Sequence, residues 1–439
     1  MSGLAVGLTA LLVMGILLGL RVPIGVAMMT VGLAGYAAVV GWEPAVGTLR
    51  SLAYDTFASY TFSVVPLFLL MGEFATRAGL SGSLFEAANA WVGHRRGGLA
   101  MATIGASAGF GAITGSSLAT AATMGRVALP EMRRRGYSGA LATGSVAAGG
   151  TLGILVPPSI VLVIYAILAE QNVAELFAAA LLPAALAIVG YLLAIAVYVR
   201  LRPTEAQPAA RSDARTRRRA LVRVWPVLAI FAVVIGGIYA GLFTPTEAAA
   251  VGVVATGVLA AARGSLTVRG FSDALLAVSG TSGMIFLIVL GAELLNVLLA
   301  VTRLPQTVAE RIAAADVAGI AIVLAVLALY LALGTVMDSL SVILLTTPIF
   351  FPVIAGLDLG LPPDEVGIWF GILTLVTVEV GLITPPVGLN VFVINALAKD
   401  VPMAATFRGV VPFLVSDLVR IGLLVAVPAL SLVATRAWF

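Results

Sequence analysis

Apolar stretches of membrane length recur along the whole chain, at about 3–20, 23–41, 57–76, 98–132, 138–169, 173–199, 224–242, 246–262, 272–301, 318–353, 367–398 and 405–435. Short breaks of charge, proline and glycine separate them. A helix of roughly 20 apolar residues crosses a hydrocarbon core of about 30 Å, so the pattern predicts an all-α polytopic membrane protein without a soluble module. Composition agrees. Of 439 residues, 61% are hydrophobic and 10% charged, and the mean hydropathy is +1.11. A soluble domain is about 45–50% apolar and about 25% charged. These values exclude a soluble enzyme, a nucleic-acid binder and a disordered chain. The absence of cysteine excludes disulfides, iron–sulfur clusters and thiolate metal sites. The single histidine, His94, excludes a histidine metal cluster. Met1 to Leu20 has no basic region ahead of its apolar run and no clear cleavage site, so it reads as a first span rather than a leader.

The net charge of +4 belongs to arginines in loops and ends, where they orient the chain in a bilayer. The longest polar stretch, 200–223, holds eight arginines against Glu205 and Asp213 and is expected to be cytoplasmic. Arg95, Arg96 and Arg133 to Arg135 flank the 98–132 stretch on both sides, so both of its ends belong on that face. Its arms, 98–114 and 117–132, are about 24 Å long at 1.5 Å per residue, short of the hydrocarbon core. With the polar tip Gly115-Ser116-Ser117 between them, they read as a re-entrant helical hairpin; two short full spans joined by a tight turn are the alternative. The hairpin reading puts the N-terminus outside, in the periplasm.

The chain also resembles itself. Gly153-Ile-Leu-Val-Pro157-Pro158 returns as Gly381-Leu-Ile-Thr-Pro385-Pro386, an offset of 228. Ser116-Ser117-Leu118 aligns with Asp338-Ser339-Leu340, and Pro130 with Pro352, at an offset of 222. A second hairpin is therefore expected at 318–353, with its tip near Gly334 to Ser339. Residues 1–199 form one repeat, with its hairpin at 98–132 and a broken helix at 138–169. Residues 224–439 form the other, with its broken helix at 367–398. Each repeat holds five spans and one hairpin. Five is odd, so the repeats are inverted, an architecture that lets one central site face either side in turn.

Irregular backbone at membrane depth is tolerated only where it is buried in protein or lines a cavity. Two successive prolines unwind a helix, and the freed carbonyls suit a hard cation such as sodium. The exposed half-helix N-termini suit a carboxylate. A kink in a packed helix is the plain alternative for one break; two breaks, each facing a hairpin tip, favour a site. The first tip offers Gly115, Ser116, Ser117 and Thr120, with Gly150 and Thr151 beside the break at Pro157 and Pro158. The second offers Gly334, Thr335, Asp338 and Ser339, with Thr384, Gly388 and Asn390 flanking Pro385 and Pro386. For any one serine or glycine, helix packing is an equal reading. Asp338 stands out, because a carboxylate at mid-membrane costs about 2.5–3.5 kcal/mol on insertion scales. Its alternative is a helix cap. Glu379 either lines the site or bonds a neighbouring helix, and Asp417 with Arg420 reads as a self-paired couple. Arg126 can snorkel down its hairpin, and Glu73 and Glu293 read as interfacial. The stretches 80–96 and 303–316 are amphipathic and are expected to lie along the membrane surface.

The run Pro66-Leu-Phe-Leu-Leu-Met-Gly-Glu73, with the Gly115, Gly153, Asp338 and Thr384 motifs, resembles the large membrane subunit of tripartite ATP-independent periplasmic (TRAP) transporters over almost the whole chain. That resemblance implies an elevator. A transport domain of both hairpins and both broken helices slides against a scaffold in the bacterial inner membrane, driven by sodium. It implies sodium ligands at Ser116, Ser117, Asp338 and Thr384 with their neighbouring glycines. It also implies a small four-helix membrane subunit and a periplasmic binding protein that hands over an organic anion. Small carboxylates such as C4-dicarboxylates are the first expectation, with sialic acid and other sugar acids open.

Rival classes differ in what they need. A stand-alone sodium–dicarboxylate symporter would share the hairpins and broken helices but lack the binding protein. An intramembrane serine protease needs a base beside its serine, and His94 lies at a surface. A zinc protease needs a histidine pair. A channel needs no inverted pair of hairpins.

Overall fold

The computed structural model describes residues 3–208, 210–314 and 317–439, and among these it contains helices and no strand. The first half holds α1 (Gly3–Gly19), α2 (Ile24–Val40), α3 (Trp42–Ala58), α4 (Val64–Arg77), α5 (Leu80–Val92), α6 (Gly98–Thr114), α7 (Ser117–Arg134), α8 (Gly139–Leu155), α9 (Ile160–Leu168) and α10 (Val173–Leu201). The second holds α11 (Ala214–Tyr239), α12 (Pro245–Ala262), α13 (Val268–Thr302), α14 (Leu304–Ala314), α15 (Gly319–Gly334), α16 (Ser339–Ala355), α17 (Pro363–Gly381), α18 (Leu389–Leu397), α19 (Met403–Ala426) and α20 (Ala429–Trp438). Helices α10, α11, α12, α13 and α19 are each long and apolar enough to cross a membrane. Two bent pairs, α3 with the segment Thr61–Arg77 at 53° and α8 with α9 at 44°, raise that number to seven. The chain is a multi-pass membrane protein.

Local chemistry sets the helix ends. Ser116, Ser138, Ser159, Asp213 and Asp338 each accept an amide of their own first turn, satisfying a donor that would otherwise stay unpaired in a medium without water. Thr244 and Glu247 close a reciprocal capping box at the start of α12.

Helices α6 and α7 pack on each other across the two-residue connection Gly115–Ser116, and α15 and α16 do so across Thr335–Asp338. The surface stretches 80–96 and 303–316 become α5 and α14; residues 315 and 316 lie outside the described part. Three details differ from the hydropathy pattern. Residues 42–56, left outside every apolar stretch, form most of α3, an amphipathic helix whose Trp42, Tyr54 and Phe57 are exposed. The polar stretch 200–223 is half helix, because Asp213 caps α11 through the Thr216 amide at 3.1 Å and carries Arg215 to Arg223 into its first turns. The stretch 405–435 is divided at Pro428 into α19 and α20.

Packing partners exchange between the halves. Helix α2 packs on α13 and α4 on α12; α5 packs on α11 and α14 on α1. Likewise α9 packs on α16 and α18 on α7, while α8 packs on α19 and α17 on α10. Each of these crossings from the first half to the second has a counterpart running the other way.

Candidate functional site

Each tip sits against the break of its own half. At the first, Gly115 turns with φ of +59° and its amide donates to the Gly111 carbonyl at 2.7 Å, a left-handed conformation that glycine adopts without a side-chain penalty. Gly153, four residues before Pro157, touches the far side of the same turn: a Cβ there would lie 2.6 Å from the Ser116 carbonyl and from Thr120 Oγ1. Thr114 and Thr120 share a buried hydroxyl–hydroxyl hydrogen bond of 2.9 Å. Ser117 is buried beside them.

At the second tip, a Cβ on Gly381 would lie 2.6 Å from the Gly334 carbonyl carbon. The Gly388 amide, just past Pro385 and Pro386, donates to the Thr335 carbonyl at 2.9 Å. Both proline pairs, Pro157-Pro158 and Pro385-Pro386, have cis bonds. Pro157 and Pro158 are buried, whereas Pro385 and Pro386 are exposed.

Each centre therefore gathers two helix C-terminal ends and two N-terminal ends. Around the first these are α6 and α8, then α7 and α9; around the second, α15 and α17, then α16 and α18. Freed carbonyls at C-terminal ends carry partial negative charge and N-terminal amides partial positive charge. One such cluster can hold a cation and an anionic group side by side.

The named side chains divide by role. Asp338 caps α16: Oδ2 accepts the Ser341 amide at 3.1 Å and Oδ1 the Ser341 hydroxyl at 2.5 Å. Ser116 caps α7 at the equivalent place. A carboxylate has about four acceptor positions, so capping leaves Asp338 lone pairs for a cation. Ser339, next to it, is buried. The Thr384 hydroxyl donates to the Val380 carbonyl at 2.7 Å and that of Thr335 to the Ala332 carbonyl at 2.8 Å, each back onto the last turn of the helix it follows.

Asn390 joins the two centres. It is fully buried on α18, donates to the Ala147 carbonyl of α8 at 3.2 Å and faces Gly150, while its Oδ1 has no protein partner. No hydrogen bond among the described residues links Ser116 or Ser117 to Asp338 or Thr384. Ser116 and Ser117 belong to the first centre, Asp338 and Thr384 to the second.

Thr151 lies elsewhere. One residue beyond Gly150 it is turned by about 100° around α8, and its hydroxyl meets Tyr191 OH at 3.1 Å. Tyr191 donates to Asp417 at 2.8 Å, and Asp417 pairs with Arg420 at 2.9 Å. Arg420 also reaches Glu379 at 3.5 Å, so Glu379 bonds a neighbouring helix and does not stand at a tip. Arg126 is exposed on α7 and donates to the Thr123 hydroxyl at 3.4 Å; Glu73 pairs with Arg77 at 3.8 Å. The sequence reading left out Tyr191, which nothing local marks.

Comparison with known proteins follows the same outline. A family model described as the tripartite ATP-independent periplasmic transporter, DctM component, matches residues 11–430. The chain is 38% identical over 411 residues to the C4-dicarboxylate TRAP transporter large permease protein DctM of Pseudomonas aeruginosa, covering 92% of this chain and 93% of that one. It is 31% identical over 375 residues to the sialic acid TRAP transporter large permease protein SiaM of Vibrio cholerae, covering 85% and 86%. The crystal structure of the YdaH transporter of Alcanivorax borkumensis matches with a TM-score of 0.59 over 89% of each chain at 14% identity, a likeness of fold.

Proposed function

This chain belongs to the DctM-component family of tripartite ATP-independent periplasmic transporters, and from that premise we propose that it is the permease of a sodium-driven importer of small organic anions. Its role is transport, not catalysis. The observation that carries the sodium reading is the pair of tip–break centres. In each, two helix C-termini, two helix N-termini and a run of small or hydroxyl residues meet at an interrupted helix. Broken helices of this kind supply carbonyl oxygens for sodium and amides for a substrate carboxylate. With one cluster per half, at least two sodium ions are expected per cycle.

The exchanged packing of the two halves supports inverted repeats, and inverted repeats support alternating access by an elevator. In that arrangement α6 to α7 and α15 to α16 are re-entrant hairpins and travel with α8, α9, α17 and α18. Helices α1 to α5 and α11 to α14 form the scaffold. The arginine distribution supports an N-terminus in the periplasm and residues 200–223 in the cytoplasm.

The partners are a small four-helix membrane subunit and a periplasmic binding protein that selects the substrate. C4-dicarboxylates are the first substrates to test, because the Pseudomonas aeruginosa relative bears that name; sialic acid follows from the Vibrio cholerae one. The test is uptake into proteoliposomes holding this chain, the small subunit and the ligand-loaded binding protein. Uptake should rise sigmoidally with external sodium and stop in potassium. Full uptake on a proton gradient alone would overturn sodium coupling. High-affinity uptake by the lone chain would favour a stand-alone symporter.

A further inference from the structure

The Pro-Pro breaks are not the only features that match at an offset of 228. Thr151 and Glu379 match as well, each six residues before its proline pair. They enter one buried cluster with Tyr191 of α10 and with Asp417 and Arg420 of α19. Tyr191 donates to Asp417 Oδ2 at 2.8 Å, and its hydroxyl meets that of Thr151 at 3.1 Å, Thr151 itself donating to the Ala148 carbonyl at 2.7 Å. Arg420 donates to Asp417 Oδ1 at 2.9 Å and, from the same nitrogen, to Glu379 Oε2 at 3.5 Å. Glu379 and Tyr191 are 0% exposed, Asp417 1% and Arg420 3%. The cluster binds together four helices, two from each half.

Its charges do not balance. Two carboxylates face one guanidinium. Of the other charges on the helices packed here, Glu175, Arg200, Asp338, Glu365, Arg408 and Arg436 lie toward helix ends, as do Asp364 beside Glu365 and Glu131, Arg133 and Arg134 of α7, while Arg126, midway along α7, is exposed. A surplus buried charge is costly in a medium of low dielectric. The two acids are also held unequally. Both oxygens of Asp417 accept charged or phenolic donors at 2.8–2.9 Å, whereas Glu379 Oε1 has no hydrogen-bond partner among the described residues and Glu379 otherwise has the 3.5 Å contact to Arg420 and the neighbouring Thr151 hydroxyl.

We propose that Glu379 binds a proton and keeps it throughout the transport cycle, so that the cluster is a neutral rivet within the moving core. Asp417 is the ionised partner of Arg420, and protonated Glu379 rests against the guanidinium as a neutral group. The site is separate from the tip–break centres, and its burial closes it to exchange with either bath. The inference does not depend on which ion drives transport.

Infrared spectroscopy of the whole chain in lipid at neutral and mildly alkaline pH tests this with three proteins. Wild type should show a protonated-carboxyl C=O stretch, and Glu379→Gln should lose it while remaining folded. Asp417→Asn should lose it too, because Glu379 then becomes the sole counter-charge of Arg420 and ionises. A wild-type spectrum without the band, as a bound cation in place of the proton would give, overturns the proposal. So does a band that persists in Glu379→Gln. Should Glu379→Gln fail to insert, the wild-type band and its loss in Asp417→Asn decide.

Discussion

The amide of Gly388 donates to the carbonyl of Thr335 at 2.9 Å, fastening the second hairpin tip to the far side of the Pro385-Pro386 break through backbone alone. The first tip meets its break differently, through the Ser116 carbonyl against Gly153 and through Gly115 against the start of α9. In both, backbone approaches backbone because a glycine stands where any side chain would intrude. The interrupted helices and the tips are therefore one unit in each half.

That closeness gives the first prediction. A methyl on Gly381 would fall 2.6 Å from a Gly334 backbone carbon, which cannot move aside as a flexible side chain could. Gly381→Ala should cost about 1–3 kcal/mol, typical of overpacking, and abolish most uptake. Gly153→Ala should behave alike. Gly82→Ala on α5, which meets nothing within 4 Å, should leave thermal midpoint and uptake unchanged. Thermal unfolding in detergent, read beside uptake, checks the series.

Asp338 carries two roles that substitution can separate. Asparagine caps a helix about as well as aspartate, whereas alanine costs about 0.5–2 kcal/mol. Asp338→Asn should therefore keep the thermal midpoint and raise the sodium concentration for half-maximal uptake. Asp338→Ala should lower both stability and sodium affinity. An unaltered sodium curve in Asp338→Asn would reduce Asp338 to a cap.

Tyr191→Phe removes the donor to one oxygen of a buried carboxylate. A hydrogen bond to a charged group is worth about 1.5–3 kcal/mol, so the variant should unfold at a lower temperature than wild type. Thr151→Val should do less, since Asp417 keeps its tyrosine. In a double-mutant cycle the two changes should fall short of additivity, because they share one bond.

The absence of native cysteine makes the elevator directly testable. A cysteine at half-buried Ser116 should react with an impermeant thiol reagent faster than one at Thr335, which is 6% exposed. Adding sodium and substrate should change both rates, since a ligand shifts populations only by its differential affinity for the states. Rates indifferent to both would count against moving tips.

Much of this was legible in the sequence. Membrane helices, hairpin positions and breaks depend on local composition: 16-residue apolar arms, Gly-Ser tips and Pro-Pro pairs declare themselves within a few residues. The helix α3 was hidden, because a surface helix alternating Trp42, Glu43, Arg50 and Asp55 with apolar residues has no sustained hydropathy. Thr151 follows Gly150 directly, yet one residue along a helix turns a side chain by about 100°, and its hydroxyl meets Tyr191. Arg420 looked self-paired with Asp417 at three residues' spacing, and its second partner, Glu379, lies 41 residues away on another helix. Contacts of that range are made by packing.

The unequal exposure of the two proline pairs carries one more consequence. Halves so alike in sequence and exchanged packing, yet set in unlike surroundings, cannot be at rest in a symmetric molecule; one half occupies a sheltered role and the other an open one. Under the alternating access proposed above, the opposite conformer would trade these environments, Pro157 and Pro158 emerging as Pro385 and Pro386 are covered.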